Sequence, residues 1–274
     1  KVLSDVNIKI IGYEDNFLSV KKYRELKNKL NSIKLKPMRG LIEDCRKIKE
    51  KKEIKLLKKA AEIGDRAYNH ILEYIKPRIS ELDVAMELDY FIRSNGDGEV
   101  SFDTIVASGS NSAIPHSEPS VKRIEEGDVV VLDFGAVSGG YHSDMTRTVG
   151  MGKIDEKLKT IYDLAYRALQ NAINSLKPGL KGKDVDRLVR SIIEKEGYGK
   201  YFFHNTGHGI GLDVHESPKL SSLEGDKLQE NMVITIEPGI YLPEYGGVRI
   251  ENMILIKKTG CEVLTKSPEK LILL

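Results

Sequence analysis

Three of the six histidines in this 274-residue chain fall within residues 204–215. This stretch, His-Asn-Thr-Gly-His-Gly-Ile-Gly-Leu-Asp-Val-His, also holds three glycines, which let the backbone turn tightly and bring imidazole rings close to a ligand. A tetrahedral zinc site built locally would need cysteines or a fourth histidine at zinc-finger spacing, and the stretch has neither. The histidines therefore indicate part of a site whose other residues lie elsewhere in the chain.

Two acidic residues near the middle of the chain lie where strands are predicted. Asp133 follows four consecutive apolar residues, and a buried ionised carboxylate is costly unless it is paired or binds a metal. Gly139 and Gly140 are the signal for a two-residue hairpin loop. If they form the whole loop, Asp133 lies opposite Thr146, and Asp144 is its diagonal neighbour on the same face. Two carboxylates are therefore predicted to converge.

The chain repeats itself at an offset of 101 residues. In the first half, one amphipathic helix runs from about Ile54 until Pro77, and a second is capped by Ser80 and ends at Gly96. Each half continues into strands, which predicts an α+β fold of two pseudo-symmetric halves with sheets inside and helices outside. The matched pairs are Ala67/Ala168, Lys76/Lys177, Pro77/Pro178, Asp83/Asp184, Val84/Val185, Ile92/Ile193, Gly96/Gly197 and Phe102/Phe203.

Two further carboxylates, Glu237 and Glu251, fall on strands of the second half that correspond to those of Asp133 and Asp144. Two prolines between them leave the register of this second hairpin undetermined. The pseudo-twofold axis would bring both pairs together, and four carboxylates in one cavity repel each other unless cations neutralise them. Two divalent ions would do so, with His208 as the nitrogen ligand, which predicts a dinuclear, oxygen-rich site.

Simpler roles remain open for single members of this set. Asp144 could cap a turn, Glu251 could lie at the surface beside Asn252, and His208 could serve a structural role in its glycine-rich loop. Each alternative explains one residue. Taken together, they explain the pattern as a whole poorly.

Composition predicts an ordinary globular protein, with 40% hydrophobic and 31% charged residues. No apolar run approaches the roughly 18 residues that a membrane span requires, and the first ten residues lack the apolar core of a signal peptide. Cys45 and Cys261 belong to no motif, so both are expected to be reduced thiols. We therefore expect a cytoplasmic protein without a membrane partner.

A basic segment lies near the start of the chain. Residues 21–59 hold sixteen Lys or Arg against five Asp or Glu, although the net charge of the chain is only +2. Such a segment could bind nucleic acid, but its lysines alternate with Leu and Ile, and it has no aromatic platform or recognition motif. We favour a solvated helical face and expect no nucleic-acid partner.

Seven short motifs occur in order along the chain. They are Pro115-His116-Ser117, Asp128-Val129-Val130-Val131-Leu132-Asp133-Phe134-Gly135, Ser143-Asp144-Met145-Thr146-Arg147-Thr148, His204-Asn205-Thr206-Gly207-His208-Gly209, Val214-His215-Glu216, Glu237-Pro238-Gly239 and Gly247-Val248-Arg249-Ile250-Glu251. With them the chain resembles the creatinase and methionine aminopeptidase superfamily, in the branch of Xaa-Pro dipeptidase (prolidase) and aminopeptidase P. The resemblance covers about residues 45–274 and implies the pita-bread fold. It also implies two metal ions held by Asp133, Asp144, His208, Glu237 and Glu251.

The resemblance implies a metal-dependent exopeptidase that hydrolyses the bond before proline in short peptides, through a hydroxide that bridges two metals. Mn or Co is expected, and Zn or Fe would also suit the ligands. His116, His204 and His215 would line the substrate site, with Glu237 as ligand and proton shuttle. Arg249 would orient the carboxylates from its place on the same strand, although a surface ion pair would also explain it.

We expect an Xaa-Pro dipeptide as substrate, because His204 and Lys219 are available to neutralise its free carboxylate. Lys219 would equally suit a solvated loop. The alternatives are an aminopeptidase P that acts on longer Xaa-Pro peptides, a non-catalytic pita-bread binding module, and another hydrolase on the same scaffold. The last two predict missing metal ligands, whereas all five are present.

The start of the chain holds too few elements to bury a core of its own. Its pattern predicts a short strand at Ile8 and Ile10, then a lysine-rich helix from about Ser19 that ends before Pro37 and Gly40. We expect residues 1–45 to be the remnant of a creatinase-like N-terminal domain and residues 46–274 to be the catalytic domain. A homodimer and an association with a separate N-terminal domain both remain open.

Overall fold

The computed structural model describes residues 8–274, and the chain divides into two compact units, Lys1–Arg46 and Lys47–Leu274. The division falls inside a short helix, α2. That residues 1–45 are the remnant of a larger domain stays a prediction. The elements that begin in the first unit are β1 (Ile10–Tyr13), α1 (Val20–Lys29), β2 (Lys34–Pro37) and α2 (Leu41–Lys47).

In the first unit, β1 and β2 form a parallel pair joined by α1. The helix α1 begins next to Ser19, as predicted, and the Ser19 side chain caps it by accepting a hydrogen bond from the Lys22 amide. The prediction that this helix continues almost to Pro37 is wrong. The chain leaves the helix after Lys29, because Ile33 and Leu35 alternate with lysines, a period that suits a strand paired with β1. None of the residues of α1 is buried, consistent with a solvated basic face.

Four helices of the second unit follow the predicted repeat. The first two, α3 (Lys51–Tyr74) and α4 (Glu81–Asn95), correspond to α5 (Glu156–Ser175) and α6 (Gly182–Lys195). Ser80 and Asp83 form the predicted capping box at the start of α4, and Gly96 ends that helix. The apolar period of α3 buries one face of the helix, as predicted.

Two larger sheets lie between these helices. Their strands are β3 (Ile105–Ser108), β4 (Val129–Phe134), β5 (Val137–Ser138), β6 (Tyr141–His142), β7 (Met145–Gly150), β8 (Gly207–Gly209), β9 (Glu216–Leu220), β10 (Val233–Ile236), β11 (Gly239–Leu242), β12 (Gly246–Arg249), β13 (Asn252–Ile256), β14 (Cys261–Val263) and β15 (Ile272–Leu273). One sheet has the strand order β15-β7-β4-β3, the other β14-β13-β10-β8-β9, and the two-stranded ribbons β5-β6 and β11-β12 extend them.

The registers of the two hairpins decide which carboxylates meet. In the first, β4 pairs with β7 so that Asp133 lies opposite Thr146, which confirms the register predicted from the Gly-Gly loop. In the second, β10 pairs with β13 and β11 with β12 in one continuous register. Glu237 therefore lies opposite Glu251, a relationship that the prolines hid at the level of sequence.

Apolar contacts hold each helix pair against its own sheet. Side chains of α3 and α4 pack on β4 and β7, and those of α5 and α6 pack on β10 and β13. The amino-terminal half of α3 also covers the other face of the second sheet, where Leu57 and Ala61 meet Val233 and Met253. These contacts produce the predicted α+β architecture of sheets inside and helices outside. Within residues 8–274, no helix has the length and apolarity needed to cross a membrane.

Candidate metal centre

The five predicted metal ligands come from the inner strands of both sheets. Asp133 lies on β4 and Asp144 directly before β7, while His208 lies on β8. Glu237 follows β10, and Glu251 lies between β12 and β13. Each of the four acidic residues lies within a buried strand or directly next to one, so the strand fixes the position of its backbone. The sheets thus direct all five side chains toward the region between the two halves of the second unit.

A glycine on the first hairpin allows the backbone to pass closely behind Asp144. Gly135 has no room for a side chain, because a Cβ atom would collide with the carbonyl oxygen of Ser143. The Ser143 amide donates to the Ala136 carbonyl, and the Ala136 amide donates to the Ser143 hydroxyl, which fixes the segment before Asp144. The close pairing of these two strands therefore sets the direction of the Asp144 carboxylate.

Three of the predicted ligands form one compact cluster. Asp144, His208 and Glu251 each offer one ligand atom, and these atoms lie within 4.8 Å of one another. The His208 Nε2 atom lies 3.5 Å from Asp144 Oδ2 and 3.6 Å from Glu237 Oε1. Since His208 Nδ1 contacts the Gly209 carbonyl at 3.0 Å, Nδ1 carries the proton and Nε2 offers its lone pair to the cluster.

The electrostatics of this cluster show strong repulsion among the carboxylates. Burial raises the pKa of Asp144 well above its ordinary value, and the charges of Glu251, Asp133 and Glu237 raise it further. Burial and Glu251 likewise raise the pKa of Glu237, and burial with Asp133 raises the pKa of Glu251 to about 7. Burial lowers the pKa of His208 to about 4, so its imidazole is neutral at pH 7. Neutral imidazole and crowded carboxylates are the protonation pattern of an oxygen-rich cation site.

Two carboxylate oxygens in this cavity have no hydrogen-bond partner. Asp133 Oδ1 and Glu251 Oε1 are both buried and unpaired, although the second oxygen of each carboxylate accepts a hydrogen bond. Asp133 Oδ2 accepts from Arg249 at 2.6 Å, and Glu251 Oε2 accepts from Thr146 Oγ1 at 2.8 Å. A buried acceptor without a partner is costly, and a divalent cation supplies the missing partner. The donor set and its two unpaired oxygens therefore fit bound metal.

Arg249 is buried at the centre of the carboxylate network, with 3% of its surface exposed. Besides Asp133, it donates to Thr146 Oγ1 at 3.1 Å, to the Tyr241 hydroxyl at 2.8 Å and to the Pro115 carbonyl at 3.2 Å. These contacts exclude the alternative of a surface ion pair. The same burial argument excludes a surface position for Glu251, which is 2% exposed.

The three histidines predicted to line the substrate site differ in their surroundings. His204 Nδ1 donates to the Asn205 carbonyl, and its Nε2 lies 2.9 Å from the Tyr241 hydroxyl. Burial, with the charge of Arg249, lowers the pKa of His204 to about 4. His215 and His116 are exposed, and the rings of His215 and His208 have centroids 4.3 Å apart. The structure thus places a buried ligand cluster beside accessible imidazoles.

Two residues of this network have no role in the sequence-based prediction. Thr146 binds both Glu251 and Arg249, and its position could have been found, because it faces Asp133 in the predicted hairpin. Tyr241 connects Arg249 with His204. Nothing in the pattern around Tyr241 distinguishes it from an ordinary strand tyrosine, so only the folded structure reveals this link.

Residues 55–258 match metallopeptidase family M24, and the chain belongs to this family. It is 47% identical over 265 residues to the Xaa-Pro dipeptidase of Pyrococcus horikoshii, a match that covers 97% of this chain and 75% of that protein. Among solved structures, it is similar to the Xaa-Pro dipeptidase from Bacillus anthracis, with 46% identity and a TM-score of 0.96. That match covers 100% of this chain and 77% of the other.

A second solved structure extends the comparison. The X-Pro aminopeptidase from Thermotoga maritima is 38% identical, with a TM-score of 0.95, over 100% of this chain and 78% of that one. Together these similarities confirm the predicted resemblance, the α+β pita-bread fold and the prediction of an enzyme, a metallopeptidase. Membership of a metallopeptidase family implies divalent metal ions, in agreement with the cluster described above.

Proposed function

We propose that this protein hydrolyses the peptide bond before proline in short Xaa-Pro peptides, with Xaa-Pro dipeptides as the preferred substrates. The observation that carries the proposal is the pair of unpaired, buried oxygens on Asp133 and Glu251, in the cavity where Asp144 and His208 also converge. The similarity to proteins named Xaa-Pro dipeptidase supports the choice of substrate.

Two divalent cations would be held by the four carboxylates and His208, and together with Arg249, which binds Asp133, they would offset the negative charge of the cavity. Mn²⁺ or Co²⁺ suits this ligand set best, because carboxylate oxygens outnumber imidazole nitrogen and no thiolate is near, and Zn²⁺ or Fe²⁺ are alternatives. When bound, such ions supply Lewis acidity and a water of lowered pKa. The side chains supply every other part of the chemistry.

Glu237 is the residue best placed to move a proton. Its Oε1 atom lies 3.6 Å from His208 Nε2 at the ligand cluster, so its carboxylate is proposed to accept the proton released by the attacking water. Amide hydrolysis breaks the carbonyl-nitrogen bond, and the departing proline nitrogen must take up a proton to become a stable amine. Glu237 can return the same proton to that nitrogen, which closes the proton balance of the reaction.

His116 and His215 are proposed to bind the carbonyl oxygens of the substrate. Both side chains are exposed and therefore open to a ligand. Partial desolvation, with the nearby His116 and Lys219, lowers the pKa of His215, so a neutral ring that donates one N–H bond is its form at pH 7. Such a donor stabilises negative charge that develops on the carbonyl oxygen in the transition state.

The preference for dipeptides rests on the groups near the site that can bind a free carboxylate. The pairing of β8 with β9 places Lys219 opposite His208, and residues directly opposite in an antiparallel pair lie on the same face. Lys219 is exposed, so its ammonium group is accessible to substrate. Lys219 is proposed to bind the proline carboxylate, which a longer peptide would lack at that position. The expectation that His204 helps to neutralise this carboxylate is not supported, because its ring is neutral at pH 7 and both ring nitrogens have partners; His204 is proposed to line the site.

The deciding experiment compares kcat/KM of the Mn-reconstituted protein for Met-Pro and Leu-Pro, for Xaa-Pro tripeptides and for Met-Ala-Ser. We expect the dipeptides to be cleaved fastest, and Lys219→Met to raise KM for dipeptides but not for tripeptides. A preference for tripeptides would indicate the aminopeptidase P activity, which the similarity to the Thermotoga maritima enzyme keeps open. Rapid cleavage of Met-Ala-Ser without action on Xaa-Pro would overturn the proposal.

The setting of this activity is proposed from the sequence. We retain the cytoplasm as the expected compartment, because Cys45 and Cys261 are free thiols, which suits a reducing environment. Nucleic acid and membrane are not among the proposed partners. Whether the protein acts as a homodimer stays a prediction, which sedimentation of the metal-loaded protein would test.

A further inference from the structure

An ion pair on α6 lies outside every motif that identifies the metal centre. Asp186 and Arg190 stand one helical turn apart and meet through two hydrogen bonds, Nε to Oδ2 at 2.9 Å and Nη2 to Oδ1 at 2.8 Å. Asp186 is 2% exposed, whereas Arg190 is partly buried. A two-bond fork of this kind fixes the plane of the guanidinium group, which leaves its remaining donors pointing in defined directions.

Those remaining donors bind the backbone around His204. Arg190 Nη2 donates to the His204 carbonyl at 2.9 Å, and Nη1 donates to the Phe202 carbonyl at 2.7 Å. The guanidinium group also lies over the Phe202 ring, 4.4 Å from its centroid, and this ring meets the His204 ring edge-on at 5.0 Å. Arg190 therefore constrains both the backbone of His204 and one wall of its side chain.

Asp186 holds the same segment from its other end. Its Oδ1 atom accepts a hydrogen bond from Thr206 Oγ1 at 2.8 Å. The Thr206 amide is bonded separately to the Leu220 carbonyl, and the Thr206 carbonyl accepts from the Glu237 amide. Arg190 thus binds the carbonyls of Phe202 and His204, and Asp186 binds the Thr206 hydroxyl. The backbone of Thr206 is held separately by Leu220 and Glu237.

We infer that the Asp186–Arg190 pair positions His204, and with it the contact between His204 and the Tyr241 hydroxyl, in the wall of the proposed substrate site. This inference rests on the proposed function. In it, Asp186 and Arg190 are positioning residues that do not touch the substrate. His204 Nε2 lies 2.9 Å from the Tyr241 hydroxyl, which in turn accepts a hydrogen bond from Arg249. The backbone of His204 has its own support from α6, so a loosened pair would let the ring rotate away from its place.

The ion pair could affect activity through His204 or through Thr206 and Glu237, and the two cases predict different results. If the pair acts through His204, its loss should raise KM for dipeptides and leave bound metal unchanged. If it acts through Thr206 and Glu237, metal content should fall together with kcat. We expect the first result, because the backbone bonds of Thr206 to Leu220 and Glu237 do not depend on the ion pair.

The test uses the Mn-loaded protein with Arg190→Met and Arg190→Lys, and Arg187→Met as the matched control on the exposed face of the same helix. We expect Arg190→Met to lower kcat/KM for Met-Pro on the order of tenfold or more, through KM, since small displacements of binding groups have effects of this size. Arg190→Lys should recover part of the loss, and Arg187→Met should match the unsubstituted protein. Loss of metal in proportion to activity would overturn the inference.

A double-mutant cycle separates positioning from general stability. With His204→Ala already present, Arg190→Met should cost little further activity, because the group that it positions is gone. Equal losses with and without His204 would overturn the inference. Thr206→Val removes only the contact with Asp186 and provides the same cycle if Arg190→Met does not fold. If His204→Ala alone retains full kcat/KM, the role of His204 and this inference both fail, whereas the peptidase activity stands.

Discussion

Asp133 and Arg249 lie 116 positions apart in the chain and form a buried ion pair with an Nη2 to Oδ2 distance of 2.6 Å. The pair joins β4 of one sheet to β12 of the second hairpin. Because Arg249 also binds Thr146 and Tyr241, it connects the Asp133 and Glu251 carboxylates with His204. The Arg249 guanidinium group therefore binds side chains from both halves of the pseudo-symmetric unit.

Arg249→Met should destabilise the protein and reduce its activity. The substitution keeps much of the side-chain volume but leaves Asp133 buried with both oxygens unpaired, and breaking one side of a buried pair costs about 3–5 kcal/mol. Thermal unfolding of the metal-free protein should show a clear fall in Tm. Arg249→Lys should be milder in Tm yet still poor in kcat/KM, since lysine cannot reach four acceptors at once. An unchanged Tm for Arg249→Met would contradict the role assigned here.

Chelation should abolish activity, and Mn²⁺ or Co²⁺ should restore it, because the crowded carboxylates require cations to be ionised together. Asp144→Ala removes a member of the compact cluster and should lose at least one metal ion per chain. Metal analysis by mass spectrometry measures this directly. Asp163→Ala on the exposed face of α5 is the control and should keep full occupancy. Full occupancy in Asp144→Ala would remove Asp144 from the ligand set.

The histidines should separate into two classes by their effect on metal content. His208→Ala should reduce bound metal, since its Nε2 atom faces Asp144 and Glu237 at about the distance that a shared ion would bridge. His215→Ala should retain metal and lose turnover by roughly 10²-fold, the scale of one oxyanion donor. Parallel metal analysis and single-turnover assays make the comparison. Equal metal loss in both variants would mean that the two imidazoles share one role.

The sequence predicts the first hairpin and its carboxylates because a single local signal decides both. The Gly139-Gly140 loop fixes the register, and the register places Asp133 opposite Thr146. The second hairpin carries two prolines and a longer connection, so the pairing of Glu237 with Glu251 emerges only from the folded sheet. The register of a hairpin with a short glycine turn can be predicted from the sequence, whereas the register across a longer loop depends on the packing around it.

Other features escape the sequence for a different reason. The end of α1 at Lys29 depends on the strand partner that β1 offers, and lysine-rich patterns suit a solvated helix and an edge strand almost equally well. The contacts of Tyr241 and Arg190 are made with residues distant in the chain or with backbone carbonyls. Such contacts produce no periodic pattern in the sequence, because any residue can supply a backbone carbonyl. They could therefore not be predicted from it.

The metal-free protein should become less stable as the pH rises from about 6.5 to about 8. Burial and Asp133 raise the pKa of Glu251 to about 7, and burial with neighbouring charges raises the pKa of Asp144 and Glu237 well above ordinary values. The folded protein therefore holds protons in this range that the unfolded chain has already released. The free energy of unfolding falls with pH wherever the native state binds more protons than the unfolded state.

Three histidines, His204, His208 and His215, contribute to stability with the opposite sign, mainly at lower pH. Burial lowers the pKa of His204 and His208 to about 4, so the stability that they contribute is complete above the unfolded histidine value of about 6.5 and is lost as the pH falls toward 4. Below pH 6.5 the histidines and carboxylates oppose each other. Above pH 6.5 the histidine contribution is nearly complete and the carboxylates dominate, which makes the range from 6.5 to 8 the informative one.

Denaturant unfolding at pH 6.5 and pH 8, with and without Mn²⁺, measures this effect. We expect the metal-free protein to have the lower midpoint at pH 8, and the metal-loaded protein to lose this dependence, because bound cations keep the ligands ionised at both pH values. Glu251→Gln cannot ionise and should reduce the pH dependence of the metal-free protein, with Glu230→Gln at an exposed position as the control. A metal-free protein that is more stable at pH 8 than at pH 6.5 would show that the cavity does not hold its carboxylates in protonated form, and the electrostatic case for bound cations would then fail.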